Sequence, residues 1–420
     1  MVARTKLWVL MSAVLAAGSG IAAQSAGAGS GRLPTPTGPF GIGRVTVLYE
    51  DGSRIEPLDP KVGSRRILVD VWYPADPSPS QGTATAEYLD VVAFERAIGA
   101  DALRDQLRDS YGTIKSGNVR THAVVRAPFA TSMRRSPVLI FSPGGGMIRE
   151  LYASQLEDLA SHGYVVAAIT HSYDGFLAVF PDGSHVAYDS KRWPRQPSVE
   201  GEANLNQLEW HANDISVVLD ELGRATSNLP FRGRLDLPNV GAFGHSFGGI
   251  AAAHACQKDQ RFKACLNEDG AVAMQPYFLD ARGWGMDQAF MLIERAPRKE
   301  PPSDQELAEM KLTRERADQL LKRLNMNRDR ALHATARGAY RVVLQTRATT
   351  HMDFSDLQVL GAPTDQERET RGRTLAVIND YARAFFDRYL KGMKSPLLDA
   401  KAPNQIVDYV ERFDPAKRPN

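Results

Sequence analysis

Cysteine is scarce in this chain: there are two in 420 residues, Cys256 and Cys265. A disulfide-stapled scaffold is thereby excluded, and with no Cys/His cluster at metal-ligand spacing neither a metal site nor any other cofactor is expected. Burial is the usual state of cysteine, so two buried thiols are expected, although export would permit one bridge. Long apolar runs are equally few. The one stretch of note, Leu7 to Ala17, is too short to span a bilayer comfortably, so no integral membrane span is expected in the mature chain. It follows Arg4 and Lys6 and precedes small residues, the pattern of an export signal over 1–23, with cleavage after Ala23 or as late as Ala28. An exported, periplasmic or secreted protein is the expectation. Excess charge is missing too. The formal charge of +2 falls to zero once Arg4 and Lys6 are removed. A neutral chain offers nothing to attract nucleic acid or an anionic surface.

What remains suits one large α/β domain over 41–420. Gln24 to Phe40 is rich in Gly, Ser, Ala and Pro and reads as a flexible leader. Strands are expected at 43–49 and 66–73, separated by a turn at Glu50-Asp51-Gly52-Ser53; Asp70, among alternating apolar residues, suggests a sheet edge. Residues 87–117 read as a charged helical excursion. Strand and helix then alternate: strands at 138–141, 164–170, 239–243, 262–267, 289–293 and 340–345, and helices at 149–161, 204–222 and after 249. A last helix places Leu375, Ile378, Ala382, Phe385 and Tyr389 on one face, with Gly392 as its stop. Buried apolar strands alternating with helices imply a mainly parallel sheet covered on both faces, made mixed by antiparallel opening strands. Between 298 and 338 a charged helical stretch interrupts the rhythm and reads as a surface insertion, with a lid as one role for it.

The run Gly244-His245-Ser246-Phe247-Gly248-Gly249 carries the chemistry. G-x-S-x-G lets a serine sit on a sharp turn between strand and helix with its hydroxyl clear of the backbone. Glycine is common enough here that the motif alone could arise by chance, so context decides. An apolar strand precedes it and an alanine-rich helix follows, which is the arrangement the elbow needs. A serine hydroxyl attacks only when a base takes its proton and a third group orients that base. Two histidines follow the possible acid loops. His333 lies in the charged helical stretch and reads as a surface residue. His351 follows the strand at 340–345, at a carboxyl end where open α/β sheets place their sites, and is the expected base. Three acids sit at strand ends, Asp269, Glu268 and Glu294, and the pattern leaves them open with Asp269 favoured. The oxyanion needs fixed donors: the Phe247 N–H after the nucleophile, and an N–H from the loop Ser142-Pro143-Gly144-Gly145-Gly146-Met147. Tyr277, Phe278, Trp284 and Phe354 lie near the acid and histidine loops and are candidates for lining the pocket.

The stretch from Val138 to His171, above all Leu156-Glu157-Asp158-Leu159-Ala160-Ser161-His162-Gly163-Tyr164-Val165, resembles the plasma-type platelet-activating-factor acetylhydrolases and their bacterial relatives. So do the serine motif and Asp259-Gln260-Arg261-Phe262-Lys263. The resemblance covers roughly 40–390 and implies an α/β-hydrolase fold. It selects Asp269 as the acid, matches His351 as the base, and assigns the oxyanion donors to Phe247 and Gly145. Pro143 departs from it, standing where the family commonly has histidine, and the 298–338 stretch looks longer and more charged. The implied function is a serine carboxylic ester hydrolase for short-acyl esters, or for phospholipids with a short or oxidised chain. A polyester or plant-wall esterase, or a peptidase on the same fold, is the alternative within enzymes. An inactivated hydrolase fold acting as a binding protein is the alternative outside them.

Overall fold

The computed structural model describes residues 33–76, 85–116, 119–189, 205–224, 228–270, 285–296, 302–310, 312–345, 349–399 and 406–414. The expected export signal, most of the leader, Tyr277, Phe278 and Trp284 lie outside the described residues. Within them, runs rich in β-branched and aromatic residues form the strands of an 11-stranded sheet. Its five central neighbours in chain order are β5 (Ser136–Ser142), β6 (Val165–Thr170), β9 (Leu235–His245), β10 (Phe262–Glu268) and β11 (Ala289–Arg295). They pair in parallel in the order β6-β5-β9-β10-β11, and β12 (Ala339–Leu344) continues the parallel run. On one flank β2 (Ser64–Ala75) joins β6 antiparallel, followed by β1 (Gly41–Ile55), β4 (Arg120–Val125) and β3 (Thr85–Glu87). On the other, β13 (Val407–Phe413) closes the sheet antiparallel to β12. The short pair β7 (Leu177–Val179) and β8 (His185–Ala187) stands apart.

Both faces of the parallel strands are buried, which is why their sequences read as continuous apolar runs rather than alternating ones. One face packs against the helices Ala153–Ser161 and Asp365–Leu390. The latter buries Leu375, Ile378, Ala382 and Phe385, the stripe its spacing predicts. Each large apolar side chain so buried contributes roughly 1.5–3 kcal/mol. The other face packs against Leu205–Arg224 and Phe247–Lys258. The 87–117 excursion forms three short helices, Val91–Ile98, Ala100–Leu107 and Tyr111–Lys115. The arrangement is an α/β-hydrolase fold.

Five expectations change. The turn expected at 50–53 is an irregularity inside β1, where Asp51 Oδ1 accepts from the N–H (3.0 Å) and hydroxyl (2.6 Å) of Ser53; the chain reverses between 56 and 63. β2 is no edge strand. It lies between β1 and β6, and Asp70 is fully buried, held by Arg44, by Thr46 Oγ1 (2.6 Å) and by Arg149 Nε (3.1 Å). A buried carboxylate so paired breaks an apolar pattern without reaching solvent. Residues 33–40, grouped by composition with the leader, are fastened to the domain: Leu33 is buried and Thr37 donates to Asp158 through N–H (2.7 Å) and hydroxyl (2.8 Å). The 298–338 stretch contains helices Asp304–Met310 and Arg314–Ala334 and makes the crossover between the parallel neighbours β11 and β12. Ala317, Ala331 and Leu332 of the second helix are buried. Finally, Cys256 and Cys265 are joined as a disulfide rather than left as two thiols, because the Phe247–Lys258 helix returns beside β10.

Candidate active site

The elbow begins where β9 delivers Ser246 with φ 55° and ψ −122°, a backbone conformation costly for any residue with a Cβ. Packing over-determines it. A Cβ on Gly244 would lie 2.6 Å from the carbonyl carbon of Gly248, and a Cβ on Gly248 would overlap the carbonyl oxygens of Ser142 and Pro143. The Ser246 N–H donates to the Glu268 carbonyl at 2.7 Å, and Gly249 and Ile250 N–H return to the Ser246 carbonyl at 3.1 and 3.3 Å. Helix Phe247–Lys258 then starts at once, its positive end beside the serine.

His351 lies in the loop after β12, turned back by a capping box between Thr350 and Asp353. Its Nε2 is 2.9 Å from Ser246 Oγ and its Nδ1 is 2.6 Å from Asp269 Oδ2. With Nδ1–H donating to a carboxylate, Nε2 is left to accept the serine proton. Asp269 directly follows β10, itself at φ 53°. It also accepts from Arg295 N–H (3.1 Å) and Arg295 Nε (2.7 Å). Burial pushes the Asp269 carboxyl up, but the His351 hydrogen bond and charge and the Arg295 charge outweigh it and bring it down to about 2. It is ionised at neutral pH.

The other two acids are elsewhere. Glu268 is fully buried and its Oε1 accepts from Gln155 Nε2 at 2.7 Å; burial pushes it up to about 8. Side chains alternate along a strand, so the residue before Asp269 points away from the histidine. Glu294 is held by Arg341 Nε at 2.6 Å and Arg328 at 3.4 Å. His333, in the crossover helix, packs edge-on against Phe413 of β13 at 4.8 Å. Phe354 differs from the pocket-lining expectation: it is fully buried and stacked on His245 at 5.4 Å, backing the histidine loop.

In the glycine loop, Gly144 N–H donates to Tyr152 Oη (3.0 Å) and Met147 N–H to the Gly144 carbonyl (2.9 Å). Gly146 N–H serves the Asp174 carboxylate. Gly145 N–H and Phe247 N–H make no hydrogen bond among the described residues, which leaves both available as donors. Among the described residues no group of three His, Cys, Asp or Glu could hold a metal, and no helix is long and apolar enough to cross a membrane. Sequence reasoning missed Arg295, Tyr152 and His245. Arg295 alone carried a signal, its place at a strand's carboxyl end. Tyr152 Oη lies 2.9 Å from His245 Nδ1, so these two brace the loop from beneath.

Comparison with known proteins places this geometry in context. The sequence pattern described as platelet-activating factor acetylhydrolase, isoform II, matches residues 26–362. An Arthroderma benhamiae protein described as "Probable 1-alkyl-2-acetylglycerophosphocholine esterase" is 28% identical over 251 residues, 57% of this chain and 59% of its own. The platelet-activating factor acetylhydrolase of Canis lupus familiaris is 24% identical over 262 residues, 57% of this chain and 55% of its own. The chain thus spans less than two thirds of those relatives' length. Among solved structures, a ferulic acid esterase from Streptomyces cinnamoneus superposes with a TM-score of 0.68 at 26% identity, covering 92% of this chain and 100% of that one.

Proposed function

This chain belongs to the platelet-activating factor acetylhydrolase, isoform II, family, and we propose that it is a serine carboxylic ester hydrolase working through an acyl-enzyme. The observation that carries the proposal is the hydrogen-bonded line from Asp269 through His351 to a serine on a strained elbow. His351 Nε2 takes the proton of Ser246 Oγ as that oxygen attacks the ester carbonyl carbon. The carbonyl oxygen becomes an oxyanion, and the N–H groups of Gly145 and Phe247 receive it. Asp269 keeps the imidazole in the productive tautomer and stabilises its cation. His351 then gives the proton to the departing alcohol, and water, activated by the same nitrogen, releases the acid and restores Ser246.

The substrate class proposed is short-acyl esters, including phospholipids with a short or oxidised acyl chain, in keeping with the names of the relatives. Aromatic plant-wall esters are the second reading, favoured by the ferulic acid esterase likeness over nearly the whole chain. Export of a single domain over 41–420 is part of the proposal, supported by the apolar segment after Arg4 and Lys6 and by the disulfide. The test is hydrolysis of p-nitrophenyl acetate, an acetylated glycerophospholipid and a feruloyl ester by wild type and Ser246→Ala. Wild type is expected to prefer the acetyl substrates and the variant to be inert. A Ser246→Ala protein as active as wild type sinks the mechanism; preference for the feruloyl ester sinks the substrate class.

A further inference from the structure

A second Ser–His–Asp line runs through the interior, apart from the proposed triad. Ser142 Oγ lies 2.9 Å from His171 Nε2, and His171 Nδ1 lies 2.8 Å from Asp214 Oδ2. Asp214 in turn takes two hydrogen bonds from Arg65, at 2.7 and 2.6 Å, and Arg65 also pairs with Glu56 at 2.8 Å. Ser142, His171, Asp214 and Arg65 are all buried, each at 2% exposure or less. With no access to a substrate, Ser142 cannot be a nucleophile. Its hydroxyl has a different use.

Ser142 ends β5 and directly precedes Pro143-Gly144-Gly145-Gly146, so it is the root of the loop that offers the Gly145 N–H. Its carbonyl oxygen fills the space that a Cβ on Gly244 or Gly248 would need, which makes it the point where that loop touches the elbow. Pro143 has no side-chain donor to anchor the loop. The direction of each hydrogen bond follows from the far end. Arg65 keeps Asp214 ionised, the carboxylate holds a proton on His171 Nδ1, and Nε2 can then only accept. Burial holds the His171 imidazole below its ordinary value, so it is neutral. The Ser142 rotor is therefore fixed. His171 also lies flat on His211, with ring centroids 3.7 Å apart and planes 4° apart, and His211 meets Phe247 edge-on at 5.2 Å. One buried line thus braces the segments carrying both N–H donors.

We propose that Arg65, Asp214, His171 and Ser142 form a positioning network that sets the distance between the Gly145 donor and Ser246. The inference rests on the reading of Ser246 as the nucleophile. A donor displaced by about an ångström loses most of its hold on the transition state while binding of the ground-state ester barely changes.

The test is Ser142→Ala, which removes one buried oxygen and leaves the chain able to fold, with p-nitrophenyl acetate as substrate. The expected result is a kcat lower by about tenfold with KM within about twofold of wild type. A trifluoromethyl ketone, whose adduct with Ser246 carries the oxyanion, should bind more weakly by the same factor as the loss in kcat/KM. Asp214→Asn should reproduce the split. If Ser142→Ala melts at a lower temperature yet keeps the wild-type kcat, the network is merely structural and the proposal fails. Wild type inert to both ester and ketone would instead overturn the nucleophile reading, and this inference with it.

Discussion

Arg295 Nε and His351 Nδ1 donate to the same oxygen, Oδ2 of Asp269, at 2.7 and 2.6 Å. The carboxylate is thus clamped between a fixed cation and the imidazole it orients. An aspartate whose folded pKa is depressed stabilises the fold above its unfolded value, about 3.9, and the contribution is lost as pH falls through the folded value. For Asp269, down at about 2, that loss falls between pH 4 and 2. Melting temperature should therefore drop more steeply over this window in wild type than in Asp269→Asn. Equal slopes would show that the clamp adds nothing.

The same clamp separates the three acids by activity. Asp269→Asn should reduce kcat by roughly 10⁴-fold, because the amide favours the wrong imidazole tautomer. Glu294→Gln should leave turnover near wild type, since its carboxylate is engaged with Arg328 and Arg341. Steady-state kinetics on a short p-nitrophenyl ester decide between them, and comparable losses in the two variants would refute the assignment.

Glu268 works in the opposite sense. Burial raises its carboxyl to about 8, so the folded chain holds a proton that the unfolded chain has released. Its contribution is complete below the unfolded value of about 4.3 and is lost progressively as pH rises toward the folded one. Glu268→Gln, which keeps an oxygen to accept from Gln155, should remove that decline and melt above wild type at pH 9. Parallel melting curves for the two proteins from pH 5 to 9 would contradict this.

Ser246→Gly tests the elbow as a store of strain. At φ 55° and ψ −122° a serine carries about 1–3 kcal/mol of strain that glycine does not. Glycine's extra entropy in the unfolded chain offsets about 0.5–1 kcal/mol of the relief. The variant should lose ester hydrolysis and yet unfold at equal or higher urea concentration than wild type. A clear fall in the urea midpoint would mean the turn is not strained in the folded protein.

Much of the site was legible because it lies at the carboxyl ends of strongly apolar strands. Ser246, Asp269 and His351 each follow such a strand within a few residues, so local pattern was enough to nominate them. What escaped depends on which strands become neighbours. Asp70 reads as an edge residue until β2 is found between β1 and β6, where Arg44 and Arg149 neutralise it. Arg295 is an ordinary strand-end arginine until β11 is set beside β10. Ser142, His171, Asp214 and Arg65 come from four separate elements, and no spacing along the chain links them. Cysteine's usual burial favours two thiols at Cys256 and Cys265, and the bridge becomes evident only once the helix after Ser246 is found to return beside β10.

That bridge has a topological result. Cys256 follows Ser246 by ten residues and Cys265 precedes Asp269 by four, so on the route from Ser246 to Asp269 the sulfurs bypass residues 257–264, among them the turn at 259–261 with Gln260 and Arg261 exposed. A protease cutting in that turn would yield two fragments, one bearing the serine and the other bearing both the acid and the histidine. The fragments would stay tethered under oxidising conditions and come apart only with a reductant and a denaturant together.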